Sequence, residues 1–481
     1  MDHKAAEDAT DAALARAAEL ARGWAAGVNR RRVAPAAVAA DLRARLGGPL
    51  PDRGEDPVAT LDALAAGAED GLVAAPGPRY FGFVTGGGVP AAVGADWLAS
   101  VWDQNAAMYV MGPAASVAEE VAGAWAAELL GLPAGVSVGF TTGATMASFA
   151  ALAAGRHSLL ERAGWDAERD GLFGAPEVPV VVGEEAHVTI HAALGMLGMG
   201  RDRVTRVATD GQGRMRADAL AAVLAGLDRP ALVCAQAGNV NTGAFDPLPE
   251  IADLVRANGG WLHADGAFGL WAAADPARRH LVAGADRADS WTTDAHKWLN
   301  VPYDSGLVFT AHPAAHHAAM TLGAAYYVET GGGERDPYNW VAESSRRARG
   351  FAVWAAIRSL GRDGVAEMVG RTCDLARRFA AGLHGAPGIG IRVLNDVVLN
   401  QVLVRFDDPT GDAAAGDART AAVIEAVQAE GTLWLGGSVW HGRRVMRISV
   451  SGWRTTADDV DRSVAAVLRI AGGIVSVPPR G

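Results

Sequence analysis

The sequence predicts an α/β protein whose central sheet is mostly parallel and covered by helices on both faces. Between about residues 137 and 309, short runs of apolar and β-branched residues alternate with segments of helical periodicity. The runs are largely apolar, which is typical of strands buried on both faces. Helices between such strands supply the connections that parallel pairing requires. In open sheets of this kind ligands bind at the carboxyl ends of the strands, so the residues that follow each run are the candidates for a site.

The composition excludes several classes of protein. The chain has 481 residues, half of them hydrophobic, which is enough for a large core and more than one domain. Its 43 basic and 54 acidic side chains give a formal charge of −11, so nucleic acid and anionic membranes are poor partners. Cys234 and Cys373 belong to no CxxC pair, which disfavours a disulfide framework or a metal site and fits a reducing compartment. Because no run resembles a signal core or a membrane span, we expect a cytoplasmic protein.

Residues 1–75 are predicted to form a helical arm. Apolar residues recur at helical spacing from residue 7 to about 28 and again from about 57 to 73, with a Gly- and Pro-rich segment before the second stretch. These helices are too short to form a core of their own. We therefore expect the arm to pack on another surface, such as a second subunit.

Residues 76–350 are predicted to form the large α/β domain. It opens with the turn-rich PGPRYFGFVTGGGVP and a helix that ends near WDQN. The predicted strands follow in the order SVGF, VPVVVG, RVTRVA, ALVCAQAG, WLHAD, ADSWTTD and GLVF.

Residues 351–481 have a different texture and are predicted to form a smaller α+β domain. After residue 343 a helix reading SSRRARGFAVWAAIRSLG leads into a second one, VAEMVGRTCDLARRFAAGL. The strand-like runs QVLVRF, GTLWLG and RRVMRISVS are interleaved with helical segments near residues 413–430 and 457–470.

Lys297 is the first candidate for chemistry. It is one of two lysines in the chain, the other being Lys4, in a sequence that otherwise uses arginine for positive charge. Arginine stays protonated and cannot act as an amine nucleophile, whereas a lysine in a suitable environment can form a Schiff base. The alternative, a surface lysine, is disfavoured by the neighbouring His296 and Trp298.

Asp265 ends the apolar strand WLHAD, where an ionised carboxylate is partly desolvated and costly unless it is paired. One interpretation is a helix cap or a buried ion pair with an arginine. The other is a carboxylate that keeps a pyridine nitrogen protonated, and Ala267 is small enough for a ring to lie flat beside it. The motif by itself leaves both open.

Two further motifs precede these residues in the chain. Gly143, Ala144 and Thr145 close a strand and open a helix, so backbone N–H groups and a threonine hydroxyl can approach an anion there. An isolated turn of this kind is more often structural. His187 begins a helix just after VVVGEE, and it either caps the helix, packs in the core or stacks a flat imidazole on a cofactor ring.

The four motifs together narrow the chemistry. A phosphate cradle, a stacking histidine, a strand-end aspartate and a strand-end lysine are what pyridoxal 5'-phosphate (PLP) requires of a protein. The lysine carries the aldehyde, the aspartate makes the ring an electron sink, and the helix end holds the phosphate. The sequence therefore predicts a PLP enzyme.

The chain resembles the group II pyridoxal-dependent decarboxylases, the family of aromatic amino acid, glutamate and cysteine sulfinate decarboxylases, in a divergent branch. The resemblance extends from about residue 79 to 453 and is carried by ADSWTTDAHKWLNVPYDSG, WLHADGAFG, GAFDPLPEIADL, PRYFGFVTGG and WDQN. It implies the aspartate aminotransferase fold (type I) and a homodimer. It also implies that Lys297 binds the cofactor aldehyde, Asp265 pairs with the pyridine nitrogen and His187 stacks on the ring.

The same resemblance implies the residues around the rest of the cofactor. The phosphate is expected near the 143–145 turn and His296. Many relatives have Gly-Thr-Thr before the Gly-Ala-x-Asp-Pro run, whereas this chain has Gly238-Asn239-Val240-Asn241. Asn239 is accordingly a further candidate for cofactor binding.

The family also uses a tyrosine on a mobile loop that reaches the partner's site and protonates the substrate carbon. Tyr338 is the first candidate here, and Tyr326 and Tyr327 are the alternatives, with glycines 331–333 suited to a loop that opens and closes. Each of the three is also interpretable as a packing residue. A phenylalanine at this position would instead indicate aldehyde-forming oxidative chemistry, so a tyrosine favours simple decarboxylation.

The predicted reaction is decarboxylation of an L-amino acid to an amine. The candidate substrate contacts are mostly apolar, which favours an aromatic or aliphatic side chain; they are Tyr80, Phe81, Met108, Val110, Met111 and Arg447. A PLP-dependent aminotransferase or an oxidative aldehyde-forming enzyme is the alternative. A non-enzymatic relic of the fold is disfavoured by the complete set of Asp265, His187 and Lys297.

Overall fold

The computed structural model describes residues 3–321, 333–384 and 388–474. The helices of eight or more residues and one short helix are α1 (His3–Gly27), α2 (Ala39–Leu46), α3 (Pro57–Ala68), α4 (Pro90–Trp102), α5 (Pro113–Leu129), α6 (Ala144–Arg162), α7 (Ala167–Asp170), α8 (Val188–Met196), α9 (Ala217–Ala225), α10 (Leu248–Asn258), α11 (Pro313–Met320), α12 (Gly350–His384), α13 (Ala413–Glu430) and α14 (Ala457–Gly473). The strands are β1 (Ser137–Thr141), β2 (Val180–Gly183), β3 (Thr205–Val207), β4 (Leu232–Gln236), β5 (Trp261–Asp265), β6 (Ser290–Asp294), β7 (Gly306–Thr310), β8 (Ile391–Val393), β9 (Gln401–Phe406), β10 (Gly436–Trp440) and β11 (Arg443–Ser449).

The larger sheet has seven strands in the order β1-β7-β6-β5-β4-β2-β3. Neighbouring strands from β6 through β3 run parallel, whereas β7 is antiparallel to both β6 and β1. Because β1 opposes β7 and β7 opposes β6, strands β1 and β6 run in the same direction. The carboxyl ends of six strands therefore lie at one edge, as the apolar runs predicted.

Both faces of this sheet are buried. On β2 and β4, Val181 and Val233 belong to one hydrophobic cluster while their neighbours Val182 and Cys234 belong to another. Side chains alternate between faces along a strand, so the two clusters are the two faces of the sheet. Helices α5, α9, α10 and α12 contribute to the first cluster, and α6, α8 and α11 to the second. This arrangement explains the continuous apolar character of the strands.

The smaller sheet is antiparallel, in the order β10-β11-β9-β8. Its buried face packs on α12, α13 and α14 in a separate hydrophobic cluster. This is the α+β architecture predicted for the end of the chain. The predicted domain limits, between residues 75 and 76 and between 350 and 351, stay predictions.

Two predicted elements differ from the observed ones. Helix α12 begins at Gly350 rather than at residue 344, because Arg346 is drawn into a buried ion pair with Glu119, 2.6 Å between Nη2 and Oε1. The run GTLWLG does not form a strand of the smaller sheet. Strand β10 begins instead at Gly436, the last residue of that run. The backbone of Trp434 pairs with the segment around Tyr80.

The N-terminal arm is lightly packed. Helix α1 contacts α3, and no residue of α1 is buried. Among the described residues, no helix combines the length and apolar character needed to cross a bilayer.

Candidate active site

Lys297 lies three residues beyond the end of β6, in a loop fixed by contacts to both sheets. The Asn300 side-chain amide donates to the carbonyl oxygens of Trp298 (2.9 Å) and Ser451 (3.0 Å), the latter following β11. The Trp298 indole N–H donates to Thr372 on α12 at 2.9 Å. The lysine backbone is thus held rigidly, while its side chain stays partly accessible to solvent.

The glycine run near the start of the large domain passes directly over this loop. A Cβ atom at Gly86 would lie 1.9 Å from the Lys297 carbonyl oxygen, so no larger residue fits there without displacing the loop. The TGGG segment therefore requires glycine at position 86 because two backbones approach each other closely there.

Asp294, the last residue of β6, is the closest charged neighbour of Lys297. Its Oδ2 lies 3.0 Å from Lys297 Nζ, and its Oδ1 accepts the Ala144 N–H at 2.6 Å. The side chain is only 2 % exposed. Sequence reasoning missed this residue, although a carboxylate at a strand end three positions before a reactive lysine was a visible signal.

His296 faces the same carboxylate. Its Nδ1 accepts the Ser305 N–H at 3.0 Å, so the proton of a neutral ring is assigned to Nε2, which lies 3.6 Å from Asp294 Oδ1. Burial lowers the pKa of His296, with Asp294 opposing the shift. The ring is therefore neutral near pH 7 and carries an N–H donor toward the start of α6. Tyr303 packs against it in a tilted arrangement, with 4.4 Å between ring centroids.

Asp265 ends β5 with its carboxylate buried, as predicted. Its Oδ1 accepts the Ala267 N–H at 3.2 Å and lies 3.5 Å from the Thr292 hydroxyl. Among the described residues, no lysine or arginine pairs with it within 4 Å, so the ion-pair alternative is not observed. A buried carboxylate of this kind fits a protonated pyridine nitrogen.

His187 is the N-cap of α8, and its Nδ1 lies 2.7 Å from the Thr189 hydroxyl. Burial lowers the pKa of His187; the carboxylate of Asp265 opposes this, and the positive charges of Lys297 and Arg447 add to it. These four side chains therefore lie within electrostatic reach of one another. The histidine is neutral near pH 7, which suits stacking on a ring.

The turn at residues 143–145 lies next to His296, the other residue predicted to contact the phosphate. Gly143 caps α6 without a side-chain hydrogen bond, and a Cβ there would lie 3.2 Å from His296 Cε1. The positive end of α6 and the His296 N–H thus face one small space. With Lys297 and Asp265 at neighbouring strand ends, the residues present fit PLP.

Asn239 is buried and its side chain is already engaged. Its Nδ2 donates to Glu185 at 3.1 Å, and its Oδ1 accepts the N–H groups of Asn241 (2.8 Å) and Thr242 (3.2 Å). These bonds organise the loop after β4. The expected contact of Asn239 with the cofactor stays a prediction.

Glu185, two residues before His187, links the two sheets and was not singled out from the sequence. Its carboxylate accepts the Trp440 indole N–H at 3.2 Å and lies 3.0 Å from His441 Nε2. Trp440 and His441 form the tip of the β10–β11 hairpin and stack on each other. The hairpin is thereby fastened beside the site.

The tyrosine candidates fall in two places. Tyr338 is on a 3₁₀ turn, Pro337–Trp340, is 2 % exposed and packs against Ala107 and Met108. Tyr326 and Tyr327 lie outside the described residues. The identity of the loop tyrosine stays a prediction, but Tyr338 is not on an exposed loop.

An aromatic wall lies near the lysine loop. Tyr80 and Phe83 both stack on Trp434, with centroid distances of 5.1 and 5.6 Å. Burial raises the pKa of Tyr80 to about 12, and the nearby Tyr303 adds to the shift. The Tyr303 hydroxyl in turn lies 3.3 Å from that of Thr85. Phe83, Tyr303 and Trp434 were not predicted, because their meeting depends on the pairing of Trp434 with Tyr80.

Four other predicted substrate contacts are not brought to this wall. Phe81 is fully buried and packs edge-on against Phe379, at 5.4 Å, in the core of the smaller sheet. The structure therefore does not support Phe81 as a pocket residue. Val110 and Met111 are exposed on a 3₁₀ turn, and Met108 is buried against Tyr338.

Arg447 on β11 is half-buried and donates to the Phe83 carbonyl oxygen at 3.4 Å. Burial lowers its pKa. Within residues 3–321, 333–384 and 388–474, no carboxylate pairs with it within 4 Å. A partly desolvated guanidinium without an acidic partner is suited to binding a carboxylate ligand.

The fold and the site together define a PLP-dependent enzyme. The sequence model of the pyridoxal-dependent decarboxylase conserved domain matches residues 62–406, and the chain belongs to this family. It is 31 % identical to an L-2,4-diaminobutyrate decarboxylase of Rhizobium meliloti, over 78 % of this chain and 74 % of that one. It is 29 % identical to an aromatic-L-amino-acid decarboxylase of Bacillus atrophaeus, over 72 % and 71 %.

A solved structure of Oryza sativa TDC with PLP and tryptamine has the same fold. The TM-score is 0.89 at 22 % identity, covering 97 % of this chain and 98 % of that one. The predicted type I fold, the PLP cofactor and the amino acid decarboxylase activity are confirmed.

Proposed function

We propose that this decarboxylase acts on L-amino acids with an aromatic or aliphatic side chain. The observation that carries the proposal is the aromatic wall of Tyr80, Phe83 and Trp434 next to Arg447, whose guanidinium donates to the Phe83 carbonyl. Such a wall favours contact with apolar or aromatic surface, whereas the arginine supplies the charge complement of a carboxylate.

The proposed roles at the cofactor follow the geometry. Lys297 would bind the aldehyde, Asp265 would pair with the pyridine nitrogen, and His187 and Ala267 would lie against the ring. The backbone of residues 143–145 and the His296 N–H would hold the phosphate. When bound, PLP supplies a conjugated ring that accepts the electron pair left by the departing carboxylate.

Orientation determines which substrate bond breaks. Arg447 would bind the α-carboxylate and the aromatic wall would contact the side chain, and these two contacts together would set which bond of the α-carbon is aligned for cleavage. Only a bond aligned with the π system is weakened.

The proton that replaces carbon dioxide is assigned to a tyrosine. Tyr338 is buried against Ala107 and Met108, which favours Tyr326 or Tyr327 for this role. A tyrosine hydroxyl placed at the α-carbon favours release of an amine over an aldehyde.

We also propose a homodimer. Helix α4 presents Trp97, Leu98, Val101 and Trp102 about half exposed, and Val110 and Met111 follow it on the surface. An exposed apolar patch of this kind is typical of an interface. In this proposal a second copy covers the patch, and Val110 and Met111 contact substrate across the interface. A cytoplasmic location stays a prediction.

The substrate proposal is tested with purified protein, PLP and a panel of the common amino acids. Mass spectrometry identifies amine, keto acid and aldehyde, and a peroxide assay runs in parallel. We expect amines from aromatic or aliphatic substrates, with no keto acid and no peroxide. Amines only from acidic or basic substrates would refute the side-chain assignment, and aldehyde with peroxide would favour oxidative chemistry.

A further inference from the structure

Asp294 joins the two halves of the cofactor site, and the proposed function gives it no role. One oxygen lies 3.0 Å from Lys297 Nζ, and the other accepts the Ala144 N–H at 2.6 Å. A single buried carboxylate therefore contacts both the amine that binds the aldehyde and the helix end assigned to the phosphate.

The contact with Ala144 places the negative charge of Asp294 at the helix N-terminus where the phosphate is expected to bind. Ala144 is the first residue of the 19-residue helix α6, whose N-cap provides no side-chain acceptor. The N-terminus of a helix carries about half a positive charge and is a binding site for either a carboxylate or a phosphate. The His296 Nε2, 3.6 Å away, faces the same Asp294 oxygen. Asp294 and a phosphate thus compete for the same donors.

Close packing limits how far the carboxylate can withdraw. A Cβ atom at Gly306 on β7 would lie 2.5 Å from the Gly143 Cα, and one at Gly143 would lie 3.5 Å from Asp294 Oδ1. The turn, the start of β7 and the Asp294 side chain are therefore in van der Waals contact. The carboxylate stays next to whatever anion the turn binds.

The groups around Asp294 do not neutralise the charge of its carboxylate on the side that faces the proposed phosphate position. His296 is neutral near pH 7, because burial lowers its pKa. Lys297 is the cation in contact with Asp294, but it lies against Oδ2, whereas Oδ1 faces the Ala144 N–H at the start of α6. Repulsion between the carboxylate and a phosphate dianion therefore persists, in a site where burial weakens solvent screening.

We propose that Asp294 is a positioning residue with two opposed effects. It holds the Lys297 amine toward the cofactor aldehyde and accepts the proton that the ammonium loses before it attacks, which speeds covalent attachment. It also repels the phosphate, which makes the enzyme hold its phosphorylated cofactor less tightly than the same site without the charge. The inference rests on the proposed assignment of the α6 turn to the phosphate.

The test is the substitution Asp294→Asn, which removes the charge and keeps an oxygen able to accept the Ala144 N–H. Dissociation constants are measured by fluorescence titration for PLP and for pyridoxal, which has the same ring and aldehyde but no phosphate. We expect the preference for PLP over pyridoxal to rise about tenfold in D294N, and the rate of covalent attachment of pyridoxal to fall.

A matched control lies at the other end of β6. Asp289 also accepts a backbone N–H, that of Leu262 at 2.7 Å, and D289N should leave both the preference and the attachment rate unchanged. A preference that is unchanged or reduced in D294N overturns the proposal. If D294N fails to fold, D294S, which also removes the charge, gives the same comparison.

The experiment can disprove the phosphate assignment and the role of Asp294 independently of each other. If the wild-type protein and D294N both bind PLP and pyridoxal equally well, the phosphate does not bind at the α6 turn, and the assignment itself is wrong. If wild type prefers PLP but D294N does not increase the preference, the assignment stands and the role of Asp294 is wrong.

Discussion

At the scale of single residues, chemistry dictates residue type, and that is why the central groups were predictable. Schiff-base formation needs a lysine, and a protonated pyridine nitrogen needs a carboxylate, so Lys297 and Asp265 stand out at strand ends. Glu185 was missed because its role arises only where it meets the β10–β11 hairpin. The position of Asp294 three residues before Lys297 was visible in the sequence, but its contact with Ala144 depends on two separate segments meeting in the fold.

Removing the Asp265 charge should impair catalysis more than folding. In D265N the site loses the carboxylate that keeps the pyridine nitrogen protonated, and we expect the decarboxylation kcat to fall by roughly a hundredfold. Cofactor content, measured by absorbance after gel filtration, should stay near the wild-type value. D286N, at an exposed aspartate, serves as the control, and equal rates in D265N and wild type would exclude the assigned role.

The neighbouring His263 makes stability depend on pH. It is fully buried on β5, with Nδ1 3.0 Å from the Ser290 hydroxyl, and burial lowers its pKa from 6.5 to about 4. The unfolded chain therefore binds a proton in a range where the folded chain does not. Above about pH 6.5 this group does not change the free energy of unfolding. As pH falls from about 6.5 to about 4, protonation of the unfolded chain lowers the free energy of unfolding.

The measurement is the unfolding free energy of H263L across that pH range. Leucine fills the buried site without titrating. The slope of the unfolding free energy against pH should therefore be shallower in H263L, by the equivalent of up to one bound proton. H280L, at an exposed histidine, should keep the wild-type slope. A slope in H263L equal to that of wild type would show that His263 is already protonated in the folded protein.

At the scale of elements, runs of apolar and β-branched residues between helical segments predicted all seven strands of the larger sheet. The helices near residues 413–430 and 457–470 were also predicted, because amphipathic spacing is local information. GTLWLG was misassigned because its partner, the segment around Tyr80, lies more than 350 residues away in the chain. The observed β10, GGSVW, is less apolar than the run that precedes it.

The hairpin formed by β10 and β11 is fastened to the larger sheet through Glu185. In E185A the donors of Trp440, His441 and Asn239 lose their shared acceptor, and we expect a loss of about 1.5–3 kcal/mol, the value of hydrogen bonds to a charged group. Urea denaturation measures it. E184A changes the adjacent, exposed glutamate and should be neutral, and similar losses in the two variants would argue against the link.

At the scale of the whole molecule, the apolar face of α4 and the unburied helix α1 favour assembly. Replacing Leu98 and Val101 together with glutamate puts two charges into the proposed interface. We expect the double variant to sediment as a monomer and to lose most decarboxylase activity, because Val110 and Met111 are then withdrawn from the partner's site. F173E, at a fully exposed phenylalanine elsewhere, is the control; a dimeric double variant would place the interface on another surface.

The sequence offers an unusually direct test of the central claim, that Lys297 carries the cofactor. Lys297 and Lys4 are the two lysines of the chain, so reduction of the PLP-bound protein with borohydride can mark few amines. After proteolysis, mass spectrometry should place one reduced pyridoxyl group on the peptide containing His296-Lys297-Trp298. An unmodified Lys297 peptide, or a pyridoxyl group on Lys4 instead, would contradict the assignment.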